Sequence, residues 1–445
     1  MGRDLLHYVA ISAGMALAAS CYTMLGGLLG IVDGPWVVLA VVLAGTFCVL
    51  VSTSVGELAA MFPSAPGIRT YLRAAFGNHF SLAVLFLYLA MVALAAGVEG
   101  TVVAGALAGA FPALPADAVV PGLFVLVVAL NILGLEAPRT FQLVVTATLL
   151  AATLWVGVSA FAPDAPIAQP RQLATAGLPS VIDLAAAVGA ATFLFMGFEW
   201  VTPLGRNPAA YRRLIPLSMI VAIAVLALIY GVFAAALDAR LDHRLVAADP
   251  TPQITLGVLL FGEKGRYAMA AVCLMAMLTS FNAGLMGASR LAYGLAREGL
   301  LPAWVARIDL RTGVPFNAVA SIGCLSCVLT MVVMTTGAYR LAGLAVAAIV
   351  CLVYAALMGA VLRLRRCRPD AARSFRNPLP RPAQWLVAAC LPLLALSALL
   401  SLPQAGWGPL LLVTFLAAGA ALAAALAIRR KDNRLPLARK QGVAP

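Results

Sequence analysis

The chain has 445 residues, of which 63% are hydrophobic and only 11% charged, and its mean hydropathy is +1.00. A soluble globular protein of this length does not have such a composition, so we expect an integral membrane protein. The net charge of +13 does not indicate nucleic-acid binding, because almost all basic residues lie in loops and tails without interleaved aromatic residues. We therefore expect a lipid bilayer and a small molecule as partners, and no nucleic acid.

Apolar stretches of roughly 20 residues, the length that crosses a hydrocarbon core about 30 Å thick, recur about twelve times. This predicts an all-α fold with about twelve transmembrane helices. The predicted spans cover approximately residues 8–32, 35–61, 80–111, 119–135, 140–161, a stretch beginning at 181, 215–237, 267–295, 317–336, 341–362, 384–402 and 408–428. In this topology 24 of the 30 Lys and Arg residues lie on one side of the membrane, which predicts that both termini are cytoplasmic.

The first span contains a run of small and polar residues at mid-membrane, from Ser20 to Thr23, followed by Gly26 and Gly27. Two interpretations are open. The run can interrupt the helix and expose backbone groups to a binding site, or it can form a small-residue face on which another helix packs.

The sixth span contains three residues that are each unfavourable in lipid, namely Gly197, Glu199 and Pro203. Backbone groups left unbonded in hydrocarbon cost several kcal/mol, so such a break is tolerated only against protein or a water-filled cavity. We therefore predict a discontinuous helix whose broken middle lines a binding site. The two suspected breaks lie five spans apart, at matching positions of two inverted halves. This pairing strengthens the prediction of each break.

The residues around the two breaks are predicted to form the substrate site. Phe193, Phe195 and Gly197 are expected to provide freed carbonyls and an aromatic wall, because the carbonyl ends of half-helices suit an ammonium group. The groups that face them from the first span are Ser20, Cys21 and Tyr22.

Three glutamates lie within predicted spans. Glu199 follows the break and is predicted to gate the site or to carry a proton with the substrate, the alternative being a carboxylate that only caps freed amides. Glu99 either faces the cavity and pairs with an amine, or lies in a wet vestibule near the outer surface. Glu57, close to arginines of the first inner loop, is predicted to form a structural salt bridge.

The eighth span carries three polar residues. Thr279 and Ser280 can supply two hydroxyls to a Na⁺ site, although hydroxyls in membrane helices more often bond to their own helix. We therefore favour proton coupling or exchange over sodium coupling. Asn282 either hydrogen-bonds within the core or reaches the substrate site.

Catalytic chemistry is not indicated. The three histidines lie at chain ends or in loops, and nearly all of the eight cysteines lie within apolar spans as small fillers. No phosphate-binding loop or metal-ligand cluster is visible. We expect no enzymatic activity, no cofactor and no bound metal.

Five stretches resemble a known family in their order and spacing. They are GPWVVLAVVLAG, GELAAMFPSAPGIRTYLRAAFG, FLFMGFEWV, SFNAGLMGASRLAYGLAREGLLPAWVA and LRLRRCRPDAARSFRNPLP. Over approximately residues 11–380 the chain is similar to the amino acid–polyamine–organocation (APC) transporter superfamily. The resemblance implies the leucine-transporter fold, in which two inverted five-helix repeats form the core and work by alternating access.

On this resemblance the ten-helix core comprises residues 1–362, with its repeats at 1–161 and 181–362. Two further helices at 384–428 and a basic cytoplasmic tail at 429–445 follow. The resemblance implies a secondary active transporter that moves amino acids across the cytoplasmic membrane. The coupling weighed above makes it a proton symporter or an antiporter, and the Ala- and Arg-rich composition indicates a bacterial protein.

The first span departs from the family pattern. The family carries a glycine–Ser/Thr–glycine break there, whose free amides hold the substrate carboxylate, whereas this chain has Ala18, Ala19 and Ser20. An amine or polyamine transporter is therefore the alternative, which Glu99 and Glu199 also favour. A membrane-embedded sensor of the same fold is less favoured, because we expect no soluble output domain.

Overall fold

The computed structural model describes residues 2–63, 67–133, 139–167, 177–205, 210–401 and 406–440. No residue in these ranges lies in a β-strand. The α-helices are α1 (Gly2–Ala16), α2 (Ser20–Leu28), α3 (Pro35–Met61), α4 (Ile68–Phe76), α5 (Asn78–Ala110), α6 (Ala116–Ile132), α7 (Arg139–Ser159), α8 (Val181–Ala191), α9 (Ile215–Arg240), α10 (His243–Ala248), α11 (Pro252–Phe261), α12 (Glu263–Arg297), α13 (Phe316–Thr336), α14 (Tyr339–Cys367), α15 (Arg381–Leu400) and α16 (Gly408–Lys440).

Within the described ranges, ten helical segments are long and apolar enough to cross a membrane, and α1 and α2 together form a further span that is bent by 65°. The predicted fourth span corresponds to α6, an apolar helix of 17 residues. At 1.5 Å per residue α6 is about 25 Å long, slightly shorter than a typical hydrocarbon core. Each predicted span therefore coincides with one of these elements, and the all-α membrane fold is confirmed.

The spans differ in how much of their surface faces protein. Of the most apolar 18-residue stretch of α14, 78% is buried inside the protein. The corresponding share for α16 is 22%. The helix α14 therefore lies in the centre of the bundle, and α16 lies at its edge with most of its apolar surface available to lipid.

One short helix lies in the loop between α3 and α5, where hydropathy predicts no span. The nine residues of α4 bury Ile68, Tyr71, Leu72 and Ala75, whose spacing of three and four residues forms one apolar stripe. A helix of this length cannot cross a bilayer. Its apolar stripe packs against the spans α5 and α14 instead.

At the opposite end of the bundle, the long loop between α9 and α12 forms α10 and α11 and folds over α2. The Thr23 hydroxyl of α2 donates to the carbonyl of Pro250 at 2.6 Å. The ring of Pro252, the first residue of α11, lies so close to Gly26 that a Cβ there would meet it at 2.9 Å. The glycine thus permits a close contact between this loop and the first span.

A buried ion cluster joins α3 to α14 and to the loop that follows α14. Glu57 is fully buried, and Arg365 donates to its two carboxylate oxygens at 3.0 and 2.5 Å. The backbone amide of Asn377 donates to the same carboxylate at 2.8 Å. Arg373 Nε lies 3.2 Å from it as an ion pair, without the alignment of a hydrogen bond. Glu57 therefore has the predicted salt bridge, but its partners come from the end of α14 and the loop after it rather than from the arginines of α4.

The two arginines of α4 have a different partner. Arg69 of α4 pairs with Glu298, the residue that follows α12, and Arg73 lies 3.9 Å from the same carboxylate. This pair ties α4 to the end of α12.

Candidate functional site

The first span is interrupted between α1 and α2, at residues 17–19. Ala19 has φ −62° and ψ −30°, an ordinary right-handed helical backbone, so the bend requires no glycine. The amides of Cys21 and Tyr22 bond to the carbonyls of Ala18 and Ala19 at 3.1 and 3.2 Å, three residues back. The amides of Ala19 and Ser20 form no such bond to the preceding turn and point to a partner outside the helix.

The sixth span is interrupted at Gly197. After α8 the chain forms a 3₁₀ turn at Thr192–Phe195, and a second 3₁₀ segment, Phe198–Leu204, follows the glycine. Gly197 has φ +104°, a conformation that strains any residue with a Cβ. A Cβ at this position would also lie 3.3 Å from the carbonyl oxygen of Met15. The glycine therefore both makes the break and allows it to approach the end of α1.

Glu99, in the middle of α5, is bonded to the first break. Its Oε1 accepts the amide of Ala19 at 2.8 Å, and its Oε2 accepts the amide and hydroxyl of Ser20 at 2.9 and 2.6 Å. The Ser280 hydroxyl of α12 lies 3.4 Å from Oε1. Only 4% of Glu99 is exposed, so its carboxylate is enclosed and does not lie in an outer vestibule.

A cavity of about 80 Å³, here called the central cavity, lies between the two breaks. Glu99 lines it, and among the described residues of its wall no other side chain carries a formal charge at neutral pH. The residues of the first and sixth spans that line it are Met15, Ala16, Ala18, Ser20, Cys21, Phe193, Met196, Gly197 and Trp200. The rest of the wall is mostly apolar and comes from α5, α12 and α13.

Two aromatic residues predicted for the substrate site point away from the central cavity. The Tyr22 hydroxyl lies 2.5 Å from that of Thr153 on α7. Phe195 is fully buried, with its ring edge-on to Tyr230 at 6.3 Å. Phe193, two residues earlier, does line the cavity. The expected freed carbonyls of Phe193 and Gly197 accept amides within their own 3₁₀ turns, at 3.2 Å each.

The three polar residues of α12 have different surroundings, and only one of them faces the central cavity. The Thr279 hydroxyl donates to the carbonyls of Met275 and Ala276, at 3.0 and 2.9 Å, on its own helix. Ser280 lines the central cavity, whereas the side-chain oxygen of Asn282 accepts from Asn131 of α6 at 2.6 Å. The two hydroxyls therefore do not converge, and no cluster of three or more metal-ligating His, Cys, Asp or Glu side chains occurs in the described ranges.

Glu199 lies beside the central cavity and not in it. The hydroxyls of Tyr88 on α5 and Tyr354 on α14 donate to its two oxygens at 2.6 and 3.0 Å. Glu199 lines a second cavity of about 380 Å³, to which Ile68 of α4 and Arg290 of α12 also contribute. The chain crosses the bundle twice, through the first span and α3, before it reaches α4. The second cavity, which α4 lines, therefore lies on the same side of the bundle as the N-terminus.

Trp200 lies at the boundary of the two cavities, which Met15 also borders, and its place in the sequence does not predict this position. It lines both cavities, and its ring stacks on Tyr88 with centroids 5.9 Å apart and 28° between planes. A Cβ at Gly287 of α12 would overlap the indole. In the sequence, this contact is indicated only by the glycine at position 287 of a helical span, because a glycine leaves room for a large neighbouring side chain.

The chain was compared with known protein families and solved structures. The family model described as amino acid permease matches residues 4–423. An uncharacterized transporter of Mycobacterium tuberculosis is 27% identical over 71% of this chain and 69% of its own. The aromatic amino acid transport protein of Corynebacterium glutamicum is 26% identical over 70% of each chain.

A crystal structure of the Eremococcus coleocola manganese transporter superposes with a TM-score of 0.62 at 13% identity, covering 96% of this chain and 95% of that one. At this identity the likeness shows the fold alone. The predicted APC superfamily, the leucine-transporter-like fold and the prediction of a transporter rather than an enzyme are confirmed. This chain belongs to the amino acid permease family.

Proposed function

We propose that this protein is a secondary active transporter that moves amino acids and compounds built like them across the plasma membrane of a bacterium. The observation that carries the proposal is the central cavity, which is enclosed by both helix breaks and by Glu99. Irregular backbone at membrane depth is tolerated where it lines such a cavity. The substrate is proposed to bind there against Ser20, Cys21, Glu99, Phe193 and Gly197, all of which line the cavity.

Alternating access requires that the central cavity open to one side at a time. We assign the second cavity to the inward path and Trp200, which it shares with the central cavity, to the barrier between them. The side of the second cavity is proposed to be cytoplasmic, because the basic loops predominate there. On the other side the loop with α10 and α11 covers α2, which closes the outward path.

The functional test is counterflow into proteoliposomes. Vesicles that contain the purified protein and a high internal concentration of an unlabelled amino acid should accumulate the labelled form, and protein-free vesicles should not. A membrane-embedded sensor binds its ligand without moving it. Binding in detergent without flux for any amino acid or related amine would therefore contradict the proposed function.

For Glu199 we propose a coupling role, because two tyrosines from different spans meet at its carboxylate next to the barrier. Glu199→Gln keeps the side-chain size but removes the group that can gain or lose a proton. We expect uptake by this variant to become insensitive to an imposed pH gradient, while counterflow at equal pH persists. Glu263→Gln, at the exposed start of α12, is the matched control and should keep the wild-type gradient dependence. An unchanged gradient dependence in Glu199→Gln would remove Glu199 from the coupling mechanism.

A further inference from the structure

We propose that Glu99 occupies the place of the substrate's carboxylate, so that the preferred substrates are amines that lack a free carboxylate. The inference rests on the proposed function and specifies its substrate class. Decarboxylated amino acids, and amino acids whose carboxyl group is an amide or ester, belong to this class.

The first step of the argument is that the donors at the break are already used. Both carboxylate oxygens of Glu99 are bonded, to the amides of Ala19 and Ser20 and to the Ser20 hydroxyl, at 2.6–2.9 Å. The next two amides along the chain bond within the helix. These short bonds to freed amides are the contacts that a bound carboxylate makes at the start of a helix. A substrate carboxylate would have to displace Glu99 to obtain them.

The second step concerns charge. A carboxylate that entered the central cavity beside Glu99 would place two like charges in a space of about 80 Å³ that is largely removed from water. An ammonium group in the same place compensates the charge of Glu99 instead. No Lys, Arg or His contributes to the described wall of the cavity, so the protein supplies no cation there itself.

The third step concerns the remainder of the substrate. The apolar part of the wall includes Met91, Val92 and Ile322, which favour an apolar substituent. Phe193 and Phe281 add aromatic faces, which attract a cation placed over them. The site therefore fits a primary amine with a small apolar or aromatic tail better than a zwitterion.

The experiment compares matched ligands that differ only at the carboxyl group. One set is leucine, leucinamide and isoamylamine, and a second is phenylalanine, phenylalaninamide and phenethylamine. A ligand that binds the folded protein raises its melting temperature in detergent. With the wild-type protein, we expect the amides and amines to raise the melting temperature and the free amino acids to have little effect. The same ligands are then tested as counterflow substrates.

Variants of Glu99 test the cause. In Glu99→Gln the charge is lost, and we expect the dissociation constant for the amines to rise roughly 30-fold or more. In Glu99→Ala the amides of Ala19 and Ser20 become available, so affinity for the free amino acids should increase while affinity for the amines falls. Glu263→Gln controls for the general effect of removing a glutamate charge and should retain the wild-type preference.

Each outcome decides between the two proposals. If free amino acids bind and exchange in the wild-type protein as well as their amines do, the substrate inference is overturned and the transport function stands. If amines bind but nothing crosses the membrane, the transport function fails and the binding inference stands. If no member of either set binds the wild-type protein, the substrate inference is overturned, and counterflow of other amino acids decides the transport function. The wild-type comparison holds even if a Glu99 variant does not fold.

Discussion

Gly287→Ala is expected to lower the initial rate of transport about tenfold or more, which corresponds to roughly 1.4 kcal/mol in the barrier. The reason is steric, because the new Cβ would overlap the indole of Trp200 and the backbone of α12 cannot yield easily. The indole must then move into one of the two cavities that it separates, and it also loses its stack on Tyr88. Counterflow rates measured in proteoliposomes at equal protein content check this expectation.

Gly294→Ala is the matched control, since Gly294 lies seven residues further along the same helix and faces nearly the same direction. A Cβ at position 294 meets no described atom within 4 Å, so both variants gain the same helix propensity and only one disturbs Trp200. The effect of Gly287→Ala should also shrink in a Trp200→Ala background, because the overlapping ring is then absent. Equal transport rates for the two glycine variants would show that the contact with Trp200 does not control access.

Glu57→Ala is expected to destabilise the protein by about 3–5 kcal/mol, the usual effect of removing one partner from a buried ion pair. The carboxylate of Glu57 is fully buried, and without it Arg365 remains buried as an uncompensated charge, with Arg373 beside it. The amide of Asn377 also loses its acceptor. Thermal unfolding in detergent, read as a shift in melting temperature, measures the loss.

The comparison for this variant is Glu263→Ala, which removes an exposed pair with Arg266 at 3.0 Å. Exposed ion pairs contribute less than about 1 kcal/mol, because water screens them. Replacing both members of the buried pair, as Glu57→Leu with Arg365→Met, should restore part of the stability, since Arg365 no longer remains as a buried unpaired charge and only Arg373 keeps a charge without Glu57. If Glu57→Ala unfolded at the same temperature as Glu263→Ala, the ion cluster would not hold the loop after α14 in place.

Much of the fold follows from hydropathy and a few special residues. The span at Pro35–Met61 is predicted with its observed ends, because Gly34 has φ +62° and Pro35 suits the first turn of a helix. The break of the sixth span is predictable from Gly197 for the same kind of reason, since φ +104° requires a glycine. The helix α4 is missed, because nine residues with one apolar stripe do not register as a span.

The details of the candidate site depend on geometry that single-sequence patterns do not contain. Phe193 and Phe195 were both predicted to face the substrate, but in a 3₁₀ turn with about three residues per turn they project to different sides. The partner of Glu99 depends on the register of α5 against a break 80 positions earlier. A shift of one turn along α5 would move the carboxylate by about 5.4 Å and leave the freed amides without it.

The bonds from Glu99 to Ala19 and Ser20 have a kinetic consequence for the empty transporter. They fasten the start of α2 to α5 without any ligand, so the unloaded protein already has an ordered centre. A carrier whose broken span is held together only by cargo returns slowly when empty, and it therefore works mainly as a one-for-one exchanger. We therefore expect the unloaded form to return without such a partner. Net entry of substrate into vesicles that contain none should accordingly proceed nearly as fast as exchange.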